Sequence, residues 1–103
     1  MKYKIHKEWT DIVNGTCYQD CVNIAYFELV EVFGEPEISG DKVQAEWILE
    51  FEDGKVATIY DYKEYEKSVE FVTDWHIGGK DRTIVPRVKE IIEKNLDRKC
   101  LVC

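Results

Sequence analysis

Cysteine side chains are the residues of this chain whose type and spacing most directly suggest chemistry. Cys17 and Cys21 are one helical turn apart in a predicted helix, and Cys100 and Cys103 form a CxxC pair. Four thiolates could hold a tetrahedral zinc ion, but this spacing is not that of a zinc finger. The sequence favours core packing for the first pair and an exposed position for the second, with a zinc-stabilised structural module as an alternative.

Carboxylates and one histidine form a second set of possible metal ligands. Glu46, Asp61, Asp74 and His76 could converge on a divalent cation if the strands align them. No HxH or HExxH spacing supports such a site. We therefore expect ordinary solvation of these side chains, with no metal and no cofactor.

The sequence contains no catalytic signature. His6 and His76 are the only histidines, no hydroxyl or thiol lies in a nucleophile elbow, and Gly78-Gly79 is too short for a phosphate-binding loop. These features predict a protein that is not an enzyme. A small-ligand domain is an alternative, in which a nucleotide signal binds in a pocket formed by Trp75, His76, Gly78 and Gly79.

The length and the charge of the chain indicate one acidic domain. The chain has 103 residues, 45% of them hydrophobic, and a net charge of −7, which suits a single domain over residues 1–103. Residues 28–74 hold fourteen acids against four lysines, whereas residues 75–103 hold seven bases against four acids. This distribution argues against direct nucleic-acid binding. It suits a partner protein with a basic surface.

The hydropathy pattern argues against membrane insertion and export. No apolar run approaches the ~20 residues that span a bilayer. Residues 1–12 carry charge without the apolar segment of a signal peptide. We therefore expect a cytoplasmic protein that does not bind membranes and whose cysteines are reduced.

A predicted β-hairpin at residues 42–63 must position most of the candidate residues. Asp53-Gly54 lies between two alternating apolar runs, which is a strong hairpin signal. A two-residue turn at this dipeptide would pair Trp47 with Tyr60 and direct both side chains toward the core.

The outer face of this hairpin and of the following strand is the predicted partner-binding surface. It combines an apolar strip with a border of carboxylates, which is typical of protein-contact surfaces. The predicted contact residues are Glu46, Ile48, Glu50, Ile59, Asp61, Glu70 and Asp74.

Two helices and a third strand complete the predicted fold. A capping-box pattern opens a predicted helix at residues 16–33, which Gly34 ends. Period-two alternation predicts a strand at residues 69–77, and helical spacing predicts a second helix at residues 83–96. Weak alternation at residues 2–9 is compatible with a further edge strand. The result is a two-layer α+β fold with a three-stranded antiparallel sheet flanked by an N-terminal and a C-terminal helix.

Five blocks in the middle of the chain resemble a pattern in small proteins that tailed phages and other DNA viruses encode. The blocks are FGEP at residues 33–36, KV at 42–43, EW at 46–47, EFEDGKVATIYDYK at 50–63 and WHIGG at 75–79. The resemblance implies a viral origin and no particular chemistry. It also implies that the protein blocks host defence, as anti-CRISPR proteins do.

Charge and resemblance together lead to one functional expectation. We expect a small, acidic, non-enzymatic inhibitor, encoded by a phage, that binds a host protein with a basic surface in the host cytoplasm. A CRISPR effector is the first candidate target, because its nucleic-acid channel is strongly positive. The small-ligand domain and the zinc-stabilised module remain the alternatives.

Overall fold

A five-stranded antiparallel sheet with two helices on one face forms the described part of the protein. In the computed structural model, the described residues are 2–6, 10–36, 45–62 and 68–97. The strands are β1 (Tyr3–His6), β2 (Cys17–Asn23), β3 (Glu46–Phe51), β4 (Val56–Tyr60) and β5 (Asp74–Gly79). The helices are α1 (Tyr26–Phe33) and α2 (Ile84–Leu96), and two short 3-10 helices lie at Asp11–Val13 and Val69–Phe71. The predicted α+β class is confirmed, and the sheet has five strands instead of three.

The strand order β1-β3-β4-β5-β2 places the first two strands of the sequence at opposite edges of the sheet. Between them in the sequence, the 3-10 helix at Asp11–Val13 contacts the central strand β4. Ile48 and Thr58 point away from α1 and α2, yet both are buried. This 3-10 helix therefore covers part of the sheet face opposite the helices.

The largest difference from the sequence prediction concerns residues 16–33. Cys17–Asn23 forms β2 and pairs with β5, so only Tyr26–Phe33 is helical. Ala25 has extended backbone angles at the helix start, and its N–H donates to the Glu28 carboxylate at 3.2 Å. Hydrogen bonds to β5 outweigh the local capping pattern, because the first half of this stretch lacks strong helix formers.

The hairpin forms where it was predicted, but its register differs by one residue. Trp47 lies opposite Ile59, and Glu46 lies opposite Tyr60. Because side chains alternate along a strand, this shift exchanges the two faces of β4. Ile59 therefore packs in the core, and Tyr60 lies on the face opposite the helices.

The shifted register results from a turn of three residues. The Phe51 N–H donates to the Lys55 carbonyl at 2.8 Å, so these two residues flank the turn. Gly54 has a φ of +88°, the left-handed conformation that a three-residue hairpin loop with a bulge requires. A glycine is favoured there because other residues are strained at positive φ.

The core lies between the sheet and the two helices, and its centre is a pair of tryptophans. Trp47 and Trp75 meet edge to face with ring centroids 5.4 Å apart. The Trp47 indole donates to the Gly34 carbonyl at 2.8 Å, and the Trp75 indole donates to the Ile24 carbonyl at 3.1 Å. Both buried indoles therefore have hydrogen-bond partners.

The predicted third strand is displaced, whereas the second helix is confirmed. Residues 69–71 form a 3-10 helix, and β5 begins only at Asp74. The helix α2 covers Ile84–Leu96, and Asp97 ends it with a φ of 51°. The weakly alternating N-terminal stretch forms β1 at one edge of the sheet.

Candidate functional site

The structure does not bring the seven predicted contact residues onto one open face. Ile59 lies in the core, and Asp61 is fully buried, with its carboxylate accepting a hydrogen bond from the Ala45 N–H at 2.9 Å. Glu70 belongs to the 3-10 helix at Val69–Phe71 and not to the sheet. The docking face expected from the sequence is therefore wrong, because it depended on a two-residue turn and on a longer third strand.

Four of the predicted residues, Glu46, Ile48, Glu50 and Asp74, do share the sheet face opposite the helices. Ile48 is fully buried there, and Asp74 is exposed at the start of β5. The Glu50 carboxylate is 2.8 Å from His6 Nε2 and 3.7 Å from Lys4 Nζ on β1. The hydrogen bond from His6 is the main cause that lowers the pKa of Glu50. Glu50 therefore contacts β1, and Glu46 borders an opening on this face.

That opening is a groove of about 300 Å³ between β4, β5 and the start of β2. Buried Thr58 lies at its base, and aromatic rings form its walls. We call it the tyrosine groove. Its lining residues are Thr16, Cys17, Glu46, Thr58, Tyr60, Tyr62 and Gly78.

An aromatic cluster around His76 borders the tyrosine groove. The centroid of the imidazole ring lies 4.8 Å from that of Tyr18, 5.4 Å from that of Tyr60 and 5.9 Å from that of Tyr62. Tyr60 and Tyr62 are nearly perpendicular, with an interplanar angle of 84° and centroids 6.5 Å apart. The three tyrosines therefore surround the imidazole ring of His76.

The charge of the tyrosine groove is negative. Glu46 lies directly opposite Tyr60 in the β3–β4 ladder. Burial raises the pKa of Tyr60, and the nearby Glu46 carboxylate raises it further. No lysine or arginine is among the described residues that line the groove. Glu46 is therefore the charged residue of the described lining.

The four residues of the predicted ligand pocket are divided between the two faces of β5. Gly78 lines the tyrosine groove and His76 borders it. Trp75 is buried in the core, and a Cβ atom on Gly79 would meet Ile84 of α2 at 2.5 Å. The prediction of one pocket is wrong, because successive residues of a strand point to opposite faces.

Gly78 gives the groove its depth and supports a stability prediction. A Cβ atom at this position would lie 2.5 Å from Thr58 Oγ1 and 3.2 Å from Tyr60 Cε1. We expect Gly78→Ala to lower the free energy of unfolding by about 1–3 kcal/mol, measured by urea denaturation, because the buried threonine has no space to move. The Gly78→Ala/Thr58→Ala variant removes the clash. The Gly78→Ala substitution is therefore measured in two backgrounds, wild type and Thr58→Ala. An equal loss of free energy of unfolding in the two backgrounds would contradict this reason.

A second candidate surface lies where α1 contacts the 3-10 helix at Val69–Phe71. Phe27 of α1 is 65% exposed, and Phe71 is 72% exposed. The Tyr26 ring lies 5.4 Å from the Phe27 ring, between centroids. Burial raises the pKa of Tyr26, and the carboxylates of Glu35 and Glu70 raise it further. Exposed aromatic rings and carboxylates therefore occur together at this end of the fold.

Acidic side chains accompany both phenylalanines on their own elements. Neither α1 nor the adjoining 3-10 helix contains a basic residue. We call this region the aromatic–acidic surface. It consists of four exposed residues, Phe27, Glu31, Glu70 and Phe71.

A larger depression of about 410 Å³ lies beside β1 and the hairpin turn. Its charges are of both signs, and Lys4 and Glu50 approach each other within it. Tyr3 and Phe51 pack on each other, with centroids 6.1 Å apart. The charged and aromatic side chains of this depression therefore contact one another.

The possible metal sites do not form among the described residues. In that part of the chain, no group of three or more His, Cys, Asp or Glu side chains could hold a metal ion. Cys17 is a free, exposed thiol and Cys21 is disulfide-bonded, so the expected core packing of Cys17 and the reduced state of Cys21 are wrong. A disulfide sulfur is not available as a zinc thiolate. Cys100 and Cys103 lie outside the described residues.

Comparison of the chain with protein-family models, curated proteins and solved structures found no match. Over the described residues, the helices are too short to cross a lipid bilayer. The resemblance of five sequence blocks to small phage proteins therefore stays a prediction. Arguments about function rest on the two candidate surfaces.

Proposed function

We propose that the protein is a non-enzymatic inhibitor that binds a basic surface of a partner protein through the aromatic–acidic surface. The observation that carries this proposal is the exposure of Phe27 and Phe71 on two adjoining elements. Large aromatic side chains are enriched at protein interfaces, where burial in a partner's pocket supplies much of the binding free energy. We propose these two rings as the anchors of the contact.

The carboxylates around these rings indicate which charge the surface of the partner carries. Glu31 and Glu70 are exposed, and the whole chain has a net charge of −7. Charged groups at the rim of an interface accelerate association with a surface of opposite charge and suppress binding to other partners. A basic partner surface is therefore the one that this region complements.

The class of partner that we propose is a bacterial defence effector that handles nucleic acid, with a CRISPR effector as the first candidate. Two arguments support this choice. The resemblance to small phage proteins suggests an encounter with host defence, and the nucleic-acid channel of such an effector is positively charged. An acidic protein seated in that channel would exclude the nucleic acid without any catalytic step.

Charge reversal on two separate surfaces tests the proposal. Purified, guide-loaded CRISPR effectors are assayed for target cleavage and for binding of the wild-type protein. Glu31→Lys/Glu70→Lys alters the aromatic–acidic surface, and Glu52→Lys/Glu90→Lys changes the net charge equally at exposed residues elsewhere. We expect wild type and the second variant to inhibit, and the first to bind about tenfold more weakly or worse.

Truncation of the two rings gives an independent readout. Phe27→Ala/Phe71→Ala should raise the dissociation rate, because hot-spot residues act mainly on dissociation. If both charge-reversal variants lost binding equally, this would contradict specific binding through the aromatic–acidic surface. Absence of inhibition across the effectors tested would contradict the proposed partner class.

A further inference from the structure

We propose that the outer edge of β1 binds an extended segment of a partner protein, which adds to the sheet as a further antiparallel strand. The segment that fits this edge alternates acidic and apolar residues. β1 lies at one edge of the sheet and contributes no residue to the aromatic–acidic surface. The contact is therefore separate from the inhibitor function and extends beyond it.

The pairing of β1 with β3 directs the main chain of two residues away from the sheet. The Glu52 N–H donates to the Lys2 carbonyl at 3.0 Å. Because inward and outward main-chain groups alternate along an edge strand of an antiparallel ladder, those of Tyr3 and Ile5 point away from β3. In the ranges that the structure describes, no main-chain hydrogen bond outside this ladder reaches either residue. Two N–H and two C=O groups are therefore placed to pair with an added strand.

The opposite edge of the sheet, at β2, is protected by side chains of this protein. The Cys21 N–H donates to the Asp20 carboxylate at 2.8 Å, and the Gln19 carbonyl accepts from Arg82 at 2.7 Å. The register of β2 with β5 is also irregular within the strand. Bulges and charged side chains of this kind keep sheet edges from pairing with other chains. β1 pairs in regular register over Tyr3–His6, so it is the edge suited to strand addition.

Lys4 indicates the charge of the added strand. Its side chain is 71% exposed, and its ammonium lies 3.7 Å from the Glu50 carboxylate, to which His6 Nε2 is closer at 2.8 Å. An antiparallel strand beside β1 places one residue directly opposite Lys4 and on the same sheet face. Opposite charges stabilise such a cross-strand pair, and like charges destabilise it. The added strand therefore carries an acidic residue at that position.

The same rule disfavours a second copy of this chain as the occupant. If two β1 strands hydrogen-bonded through Tyr3 and Ile5, Lys4 would lie opposite Lys4, Lys2 or His6 of the second copy. Each of these arrangements leaves Lys4 without an acidic neighbour on the added strand, and two of them pair lysine with lysine. The occupant that fits is therefore a different protein.

The residues that flank this acidic position are apolar. Tyr3 and Ile5 are half-buried and pack against the core on the helix side of β1, and Tyr3 meets Phe33 edge to face with centroids 6.2 Å apart. Residues that hydrogen-bond to Tyr3 and Ile5 share this side of the sheet, so apolar side chains there extend the core. The depression of about 410 Å³ beside Lys2, Tyr3 and Lys4 gives an added strand room. The sequence Glu-Val-Glu-Val-Glu has this pattern in both directions.

A capped peptide of that sequence, acetylated and amidated, tests the proposal on the full chain. In hydrogen exchange followed by NMR, the amides of Tyr3 and Ile5 should become protected when the peptide is added. The amide of Lys4 points toward β3 and should be protected with and without peptide. The basic peptide Lys-Val-Lys-Val-Lys should bind about fivefold more weakly or worse, because it reverses every cross-strand charge pair.

N-methylated peptides test the hydrogen-bond pattern. A methyl group on either valine nitrogen removes a donor to β1 and should weaken binding by about tenfold or more. A methyl group on the central glutamate nitrogen points away from β1 and should have little effect. Equal effects of the two modifications, or the reverse order, would overturn the proposed antiparallel strand.

Variants of the protein locate the site. Ile5→Pro removes an outward N–H and spares those that pair with β3, so it should weaken peptide binding by about tenfold or more, whereas Ile5→Ala keeps that N–H and should bind more tightly than Ile5→Pro. Lys4→Gln should weaken binding of the acidic peptide by up to about fivefold. Lys94→Gln removes an exposed lysine of α2 and should leave binding unchanged. Circular dichroism of each variant verifies that it is folded.

The variant Phe27→Ala/Phe71→Ala separates this contact from the inhibitor function. It should bind the acidic peptide as wild type does, even if it binds no CRISPR effector. Equal binding of the acidic and basic peptides would overturn the proposal. So would unchanged exchange of the Tyr3 and Ile5 amides in wild type at millimolar peptide.

Discussion

Replacing Trp75 by alanine should lower the free energy of unfolding by about 3–5 kcal/mol, which is typical of deleting a large buried aromatic side chain. Trp75 is fully buried, and its ring packs against Trp47 at 5.4 Å and against Tyr26 at 6.2 Å, between centroids. Its indole N–H donates to the carbonyl of Ile24, which connects β2 to α1. The deletion therefore creates a cavity and removes the partner of a buried carbonyl.

Urea denaturation followed by far-ultraviolet circular dichroism measures this loss. A small domain is stable by about 5–15 kcal/mol, so the variant should unfold at a clearly lower urea concentration. Trp75→Phe keeps an aromatic ring but removes the indole N–H donor. Its loss of free energy of unfolding should therefore be smaller than that of Trp75→Ala but still measurable. Phe71→Ala is the matched control, because that ring is 72% exposed and its removal should change stability by no more than about 0.5 kcal/mol. A loss below about 1 kcal/mol for Trp75→Ala would contradict its place at the centre of the core.

The parts of the fold that the sequence predicts correctly depend on local signals. Asp53-Gly54 marks a chain reversal within a few residues, and helical spacing with a proline in the first turn marks α2. Trp47 faces the core as predicted, because the alternation in β3 is unambiguous. Neither signal needs information from distant parts of the chain.

The strand β2 could not be predicted in the same way. Its residues carry a capping pattern at Thr16 and an apolar spacing that fits a helix. What decides its structure is pairing with β5, whose residues are far away in sequence, as the partners Cys21 and His76 show. Non-local pairing of this kind overrides weak local preferences.

The candidate site depended on a detail that the sequence leaves open. The same Asp53-Gly54 dipeptide is compatible with a two-residue and a three-residue loop. One additional loop residue turns Ile59 toward the core and Tyr60 toward the opposite face. The sequence therefore does not predict the tyrosine groove, because a two-residue turn directs Tyr60 and Tyr62 toward the core. Period two determines only that alternate residues share a face, and the turn determines which face it is.

The aromatic–acidic surface was only partly predictable. The sequence identifies Glu70 as a contact residue, although on a strand. It does not identify Phe27 and Phe71, because an exposed phenylalanine has the same appearance in a sequence as a buried one. Phe27 is exposed because only the side of α1 that carries Tyr26, Leu29 and Phe33 is buried.

Asp61→Ala should be the second large effect, with a loss of about 2–3 kcal/mol in the free energy of unfolding. Asp61 is fully buried after β4, and its carboxylate accepts a hydrogen bond from the Ala45 N–H at the start of β3. Without the Asp61 carboxylate, the buried N–H of Ala45 loses this hydrogen-bond acceptor at the open end of the hairpin. Urea denaturation of the variant, compared with exposed Glu52→Ala, measures the loss.

Asp61→Asn separates the hydrogen bond from the charge, because the amide oxygen can still accept from Ala45. We expect it to retain most of the stability that Asp61→Ala loses. Equal losses in the two variants would show that the hydrogen bond to Ala45 is not what makes Asp61 important. The buried position also means that reversing the charge of Asp61 would disrupt folding before it could report on a partner. Charge-reversal tests of binding therefore belong at Glu31 and Glu70, where the side chains are exposed.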